Sequence, residues 1–322
     1  MRAPAFWFNT SSPLGTLLAP LGWLYDAVGK YFRAQTTPEK IGIPVICVGN
    51  ITLGGAGKTP VVIEIARRLR AAGMEAHILS RGYGGREQGP LRVDTAKHTA
   101  ADVGDEPLLL ARHAPVWIAK NKRAGAHAAK GAGAKLLILD DGFQNPSLHK
   151  DFSFLVFDDA GLGNGQIFPA GPLREKPGDA LVRANAIIFL GNSTPPMEVA
   201  RTRKTFLSAK TETLPPQDIY GKAVFAFAGI GNPKKFFAGL EAKGAKLAGT
   251  KNFPDHHAYS AADIEAVLQK ATDLKDLPLT TEKDAMRLPP AYLPRVGICG
   301  LRLIWQDEAT FEKLIKDMHG LR

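Results

Sequence analysis

Glycines at positions 54, 55 and 57 followed by Lys58 and Thr59 are the densest chemical signal in this 322-residue chain. They end the run Gly49-Asn50-Ile51-Thr52-Leu53-Gly54-Gly55-Ala56-Gly57-Lys58-Thr59-Pro60, which follows the apolar stretch 43–48 and opens a helical pattern. That layout suits a polyphosphate. Glycines let backbone N–H groups turn inward, the helix start adds its positive dipole end, and a lysine neutralises phosphate oxygens. Thr52, Gly54, Gly55, Ala56, Gly57, Lys58, Thr59 and Pro60 are therefore the candidate nucleotide contacts, with the Thr59 hydroxyl a candidate Mg²⁺ ligand. The strict motif wants glycine where Thr52 stands, so the reading rests on context: an apolar strand before the loop, and Val62, Ile65, Ala66 and Leu69 at helical spacing after it.

Acids stand at a second predicted strand end, in Leu136-Leu137-Ile138-Leu139-Asp140-Asp141-Gly142-Phe143-Gln144. An acid there holds Mg²⁺ opposite the loop's hydroxyl in phosphate-loop enzymes, although Asp-Asp-Gly is also an ordinary turn. Asp105-Glu106-Pro107 opens a predicted helix, as an N-terminal cap or as the base that takes a proton from an attacking hydroxyl; spacing leaves both open. Phe253-Pro254-Asp255-His256-His257-Ala258-Tyr259 offers a catalytic or orienting histidine, or merely turn histidines, and too few further ligands for a closed metal site. Ser80-Arg81-Gly82-Tyr83-Gly84-Gly85 and Pro169-Ala170-Gly171-Pro172-Leu173-Arg174-Glu175 read as ordered loops whose arginines suit a phosphate or sugar, or as structural turns.

These groups need a scaffold that gathers strand ends. Near-continuous apolar strands at 76–79, 116–119, 135–139, 152–157 and 186–190, with helical patterns near 60–72, 107–113 and 121–131, predict a doubly wound α/β sheet covered on both faces. Its ligands belong at the carboxyl ends of the strands. Proline and polar residues at 211–217 suggest a boundary, after which a strand at 224–228, helices at 233–243 and 260–271, and a strand at 296–304 form a second, smaller α/β unit. The expected division is 1–36, 37–212 and 217–322.

Residues 1–36 carry Phe6, Trp7, Phe8, Leu17, Trp23, Tyr25, Tyr31 and Phe32, with Lys30 and Arg33 near the end and Lys40 just beyond. Pro13, Gly15, Pro20 and Gly22 interrupt the apolar run, short of the about 20 residues a spanning helix needs. No clear small-residue cleavage site marks a signal peptide. The segment is expected either to lie on a membrane surface or to pack on the protein's own core. With 45% hydrophobic and 22% charged residues the chain is a folded protein, and a net charge of +10 favours anionic partners. Cys47 and Cys299 are expected as buried, reduced thiols, in a reducing compartment.

Taken in order, these motifs resemble the tetraacyldisaccharide 4'-kinase family of lipid A biosynthesis, from the aromatic segment through Gly49-Asn50 to Lys58-Thr59-Pro60, Ser80-Arg81-Gly82-Tyr83, Gly104-Asp105-Glu106-Pro107, Asp140-Asp141-Gly142-Phe143-Gln144, 169–175, Phe253-Pro254-Asp255-His256 and Thr281-Glu282-Lys283-Asp284. The family's own loop is Gly-Asn-x-x-x-Gly-Gly-x-Gly-Lys-Thr, so Thr52 is no departure from it. The resemblance implies a P-loop kinase fold and transfer of the ATP γ-phosphoryl group to the 4'-hydroxyl of tetraacyldisaccharide 1-phosphate, giving the bisphosphorylated precursor lipid IVA. It also implies Lys58 and Thr59 for phosphate and Mg²⁺, Asp140 and Asp141 for the metal, and Asp105 as the base assisted by His256. Glu106, Arg123, Arg174 and Glu175 match positions near the family's site, and Lys122 stands where the family usually has an acid. A peripheral position on the cytoplasmic face of the inner membrane is implied, with no nucleic acid partner.

A phosphate-loop GTPase or assembly ATPase working as a switch is the rival reading. It wants a guanine-reading Asn-Lys-x-Asp, whereas Asn121-Lys122-Arg123 continues into Ala124. A basic nucleic-acid-binding protein lacks its recognition motif here.

Overall fold

The computed structural model describes residues 3–274 and 276–321. Among these, twelve strands form one sheet: β1 (Val45–Gly49), β2 (Ala76–Ser80), β3 (Leu91–Arg92), β4 (Val116–Ile118), β5 (Leu136–Asp140), β6 (Phe152–Asp158), β7 (Ala186–Leu190), β8 (Thr205–Leu214), β9 (Ala223–Ala228), β10 (Lys246–Asn252), β11 (Leu277–Thr281) and β12 (Gly297–Trp305). Their order is β10-β9-β11-β12-β8-β7-β6-β1-β5-β2-β4-β3. β3 with β4 and β12 with β8 pair antiparallel, and the other neighbours pair parallel.

Strand alternation sorts the central side chains into two cores. Ile46, Val48, Ile78, Ile138, Phe154 and Ile188 share one with Val62, Ile65 and Leu69 of the Lys58–Ala71 helix. Val45, Cys47, Leu137, Leu139, Leu155 and Phe189 share the other with Ala126 and Ala129 of the Lys122–Gly131 helix. Strands buried on both faces need no polar side, which is why they read as unbroken apolar runs. In the second half the Pro233–Ala242 helix covers Val224 and Ala226, while the Ala261–Leu274 helix covers Phe225 and Phe227.

The two halves are joined through the sheet. β8 runs through the expected linker as far as Leu214 and pairs with β12 from Gly300↔Leu214 to Trp305↔Ala209. The Glu308–His319 helix then returns to the first half, where Phe311, Ile315 and Met318 enter the core that holds Ile46. Arg68 pairs with Glu308 and Glu312 there, and its guanidinium lies 4.9 Å from the Phe311 ring centroid. Residues 217–322 therefore do not all pack as one body: the last helix belongs to the core of the first half.

At the other end of the chain, Pro13–Gln35 is one continuous helix despite Pro20 and three internal glycines. Gly22 is needed for close approach, since a Cβ there would meet the Ile167 carbonyl oxygen at 2.7 Å. Lys30 reaches Asp26 of its own helix at 3.0 Å and Asp179 at 2.7 Å, tying the helix to the Pro177–Arg183 helix. Leu17, Leu21, Trp23, Leu24, Tyr31 and Phe32 face outward and remain exposed. Among the described residues no helix is long and apolar enough to cross a membrane.

Candidate active site

The ends of β1, β5 and β2 and the turn after β4 bring the sequence motifs together. Gly57 caps the Lys58–Ala71 helix at φ 70°, a left-handed conformation that a side chain would strain, and a Cβ there would meet Leu190 at 2.8 Å. On the open side, a Cβ on Gly54 or Gly55 would meet nothing within 4 Å. The loop is held from its flank: Leu53 N–H donates to Pro172 O at 2.7 Å and Arg174 N–H to Ile51 O at 2.6 Å. Asn50, fully buried, donates to the Thr52 carbonyl at 2.8 Å and hydroxyl oxygen at 3.0 Å, so threonine has a defined place where the strict motif has glycine.

Lys58 donates to Asn50 Oδ1 at 2.9 Å and lies 3.5 Å from Asp141. Arg174 bonds both Asp141 oxygens at 3.0 and 3.1 Å. Burial pushes the Asp141 carboxyl up, yet Lys58 and Arg174 outweigh it and hold it below the usual carboxylate range. Asp140 has no such cations in contact. Burial, then the negative charges of Glu106 and Asp141, push it up to about 6, although Ser80 Oγ donates to it at 2.9 Å. Two adjacent acids thus have different affinities for a proton.

The third motif meets the fourth across the two halves. His256 Nδ1 lies 2.9 and 3.1 Å from the two Asp105 oxygens, and Arg287 Nε lies 3.2 Å from Asp105 Oδ2. Asp105 sits in the first turn of the Asp105–Ala111 helix, whose N-cap is Gly104. Its carboxyl is raised by burial but lowered more by the His256 hydrogen bond and by Lys283, His256 and Arg287, so it stays ionised. Glu106 accepts from Lys283 Nζ at 2.8 Å.

Two further candidates point elsewhere. Arg123 ties chain segments together by donating to Ser147 O at 3.1 Å and Thr37 O at 2.8 Å. Glu175 is wholly buried behind the loop, accepting from Gln144 at 3.0 Å and Arg183 at 2.5 Å, with Arg33 at 3.7 Å. Glu175 offers no open oxygen to a ligand in this conformation, whereas 43% of the Arg123 side chain stays exposed. Conversely, Lys122 is buried beside the strand-end acids with no hydrogen-bond partner for its ammonium among the described residues, and burial pulls it down to about 8 against the opposing pull of Asp140 and Asp141. Gln144, Ser80, Lys283 and Arg287 likewise join the site through contacts that single positions in the sequence do not announce.

Chemically, the cluster holds an open glycine-rich loop, a lysine, two acids of unlike basicity and a carboxylate–imidazole pair. Among the described residues no three His, Cys, Asp or Glu side chains gather to hold a metal. The Thr59 hydroxyl with the Asp140 and Asp141 carboxylates is an all-oxygen donor set, which fits Mg²⁺ bound partly by a nucleotide and water.

Comparison with known proteins agrees with this chemistry. A family model described as tetraacyldisaccharide-1-P 4'-kinase matches residues 14–319. Tetraacyldisaccharide 4'-kinase from Rhodospirillum centenum is 48% identical over 334 aligned positions, covering 99% of this chain and 99% of that protein. The enzyme of the same name from Parvibaculum lavamentivorans is 51% identical over 300 positions, with 90% and 88% covered. A crystal structure described as LpxK from Aquifex aeolicus in complex with ATP superposes with a TM-score of 0.77 at 29% identity, covering 95% of this chain and 99% of that one.

Proposed function

The chain belongs to the tetraacyldisaccharide 4'-kinase family, and from that premise we propose how its residues carry out ATP-dependent phosphorylation of the 4'-hydroxyl of a tetraacyldisaccharide 1-phosphate. The loop 52–60 cradles the triphosphate, and Lys58 leaves Asn50 and Asp141 to neutralise the transferring group. Thr59, Asp140 and Asp141 hold Mg²⁺, which when bound offsets charge on the phosphate oxygens. Asp105 and His256 together take the proton from the 4'-hydroxyl as its oxygen bonds to the γ-phosphorus and the bond to ADP breaks. Phosphoryl transfer asks a protein mainly for position and charge, and both are concentrated here.

The observation that carries this reading is the 2.9 Å contact between Asp105 and His256, made by residues 151 positions apart at the rim of the loop's sheet. Within the pair, Asp105 is 4% exposed and His256 35%. That contrast favours a second version in which the imidazole meets the alcohol and Asp105 orients it. Glu106 and Arg174 are the proposed contacts for the disaccharide, with Arg123 and Glu175 acting as ties behind the site. Residues 37–212 form the kinase lobe and 217–322, apart from the last helix, the second lobe. The exposed Pro13–Gln35 face rests on the cytoplasmic leaflet of the inner membrane.

A double-mutant cycle tests the pair. Asp105→Asn and His256→Gln are each expected to lower kcat far more than they weaken binding of an ATP analogue, and the double variant to be little worse than either single one. Additive losses would dissolve the pair. Hydrolysis of GTP without lipid, and no transfer to the disaccharide, would favour the switch.

A further inference from the structure

Arg287 holds the densest set of buried polar contacts outside the motifs. Its side chain is 5% exposed, and its Nη1 donates to His257 O at 2.9 Å. Nη2 donates to Gly229 O at 2.9 Å and to Asp284 Oδ1 at 2.7 Å. Asp284 is fully buried, and its Oδ1 also accepts from Gly229 N–H at 2.8 Å and the Tyr259 hydroxyl at 2.7 Å, while Oδ2 accepts from Thr281 Oγ1 at 2.6 Å. Every one of these partners belongs to the second half of the chain. What remains of the guanidinium is Nε, buried and without a hydrogen bond, 3.2 Å from Asp105 of the first half.

We propose that Arg287 is a positioning residue for the Asp105–His256 pair: anchored by three backbone and side-chain acceptors of the second lobe, it presents a fixed positive charge that orients the Asp105 carboxylate toward His256 once the lobes meet. The inference rests on the proton-taking role given above to that pair. Two buried carboxylates, Asp105 and Asp284, flank one guanidinium. Removing it would take away the positive charge between them, leaving Asp105 to His256 and Lys283 and Asp284 to neutral donors. An ammonium does not replace it, because lysine lacks the planar fork that meets Gly229 O, His257 O and Asp284 together. The same guanidinium also donates to the carbonyl oxygen of His257, the residue after His256, so one side chain sets both the carboxylate and the turn that carries the imidazole.

The charged groups facing Asp105 are His256, Lys283 and Arg287 from the second half and Glu106 on its own helix; Tyr83 meets the imidazole edge-on at 6.0 Å between ring centroids. Taking away the Arg287 cation raises the proton affinity of Asp105, because its carboxylate loses a stabilising charge.

The test is Arg287→Gln in the full-length enzyme, with kcat and the pH profile of kcat/KM measured on detergent-dispersed disaccharide monophosphate. The expected result is a loss of about 100-fold in kcat, an acid limb moved to higher pH, and an ATP-analogue affinity unchanged at the Lys58 loop. Arg287→Lys should return the acid limb toward its original position while recovering only part of the rate. A wild-type acid limb in Arg287→Gln overturns the proposal. Should Arg287→Gln fail to fold, Arg287→Lys decides: a rate at least about tenfold below wild type with ATP-analogue binding retained supports the fork, and a wild-type rate overturns it. Asp105→Asn run beside these separates the two ideas, since a fully active Asp105→Asn removes the pair's role itself, whereas an inactive Asp105→Asn with a normal Arg287→Gln removes only the role of Arg287.

Discussion

Asp140 and Asp141 are chemically identical neighbours that the fold treats differently. Asp141, at φ 54°, turns toward Lys58 and Arg174, while Asp140 ends β5 inside the protein and receives only Ser80. Because burial pushes Asp140 up to about 6, its negative charge is present above that pH and lost below it. A cation needs the carboxylate, so affinity should fall as pH drops through about 6 and level off above it. Titrating Mn²⁺ against the protein with bound ATP analogue between pH 5 and about 8 checks this; an affinity flat across pH 6 would place the metal away from Asp140. Lys58, Thr59 and the two acids were legible in the sequence because glycine loops and strand-end acids are local patterns. Lys122 and Arg287 were not. Their burial depends on partners that only the folded chain brings close, and a lysine or arginine in isolation reads as surface. Arg123, which the resemblance places near the site, donates to two backbone carbonyls, a tie that its neighbours in sequence do not announce.

Elements built of continuous apolar residues were equally plain. β1, β5, β6 and β7 are buried on both faces, so composition alone marks them. β8 escaped notice, since Thr205–Leu214 mixes lysine, threonine and glutamate with few buried residues and is held largely by backbone pairing on both sides. The Pro13–Gln35 helix raises a different question, whether its apolar residues face protein or lipid. Trp23 and Leu24 are 65% and 62% exposed, so the protein's own core does not claim them. Moving such side chains out of water is worth about 1.5–3 kcal/mol each. Replacing both with serine should therefore weaken sedimentation with anionic vesicles by at least about tenfold while helix content and ATP-analogue binding stay the same. Unchanged sedimentation would leave that face without a membrane role.

At the scale of the whole molecule, the second half reaches the first through the β8–β12 pairing, the Lys243–Glu212 ion pair, the returning Glu308–His319 helix, and the contacts of His256, Lys283 and Arg287 with Asp105 and Glu106. The strand pairing and the returning helix build the sheet and its core, and the contacts with Asp105 and Glu106 complete a site whose other members all come from residues 50–175. A two-part α/β chain was visible in the order of elements; the return of the last helix was not, because its stripe of Phe311, Ile315 and Met318 states only that it is buried, and not on which core. The net charge of +10 suits a donor, an acceptor and a membrane surface that are all anionic. The account stands or falls on the fate of one phosphoryl group. With γ-labelled ATP, Mg²⁺ and detergent-dispersed tetraacyldisaccharide 1-phosphate, label should appear on the 4'-oxygen of the lipid, in proportion to ADP formed; label released only as inorganic phosphate, with the lipid unmodified, would contradict it.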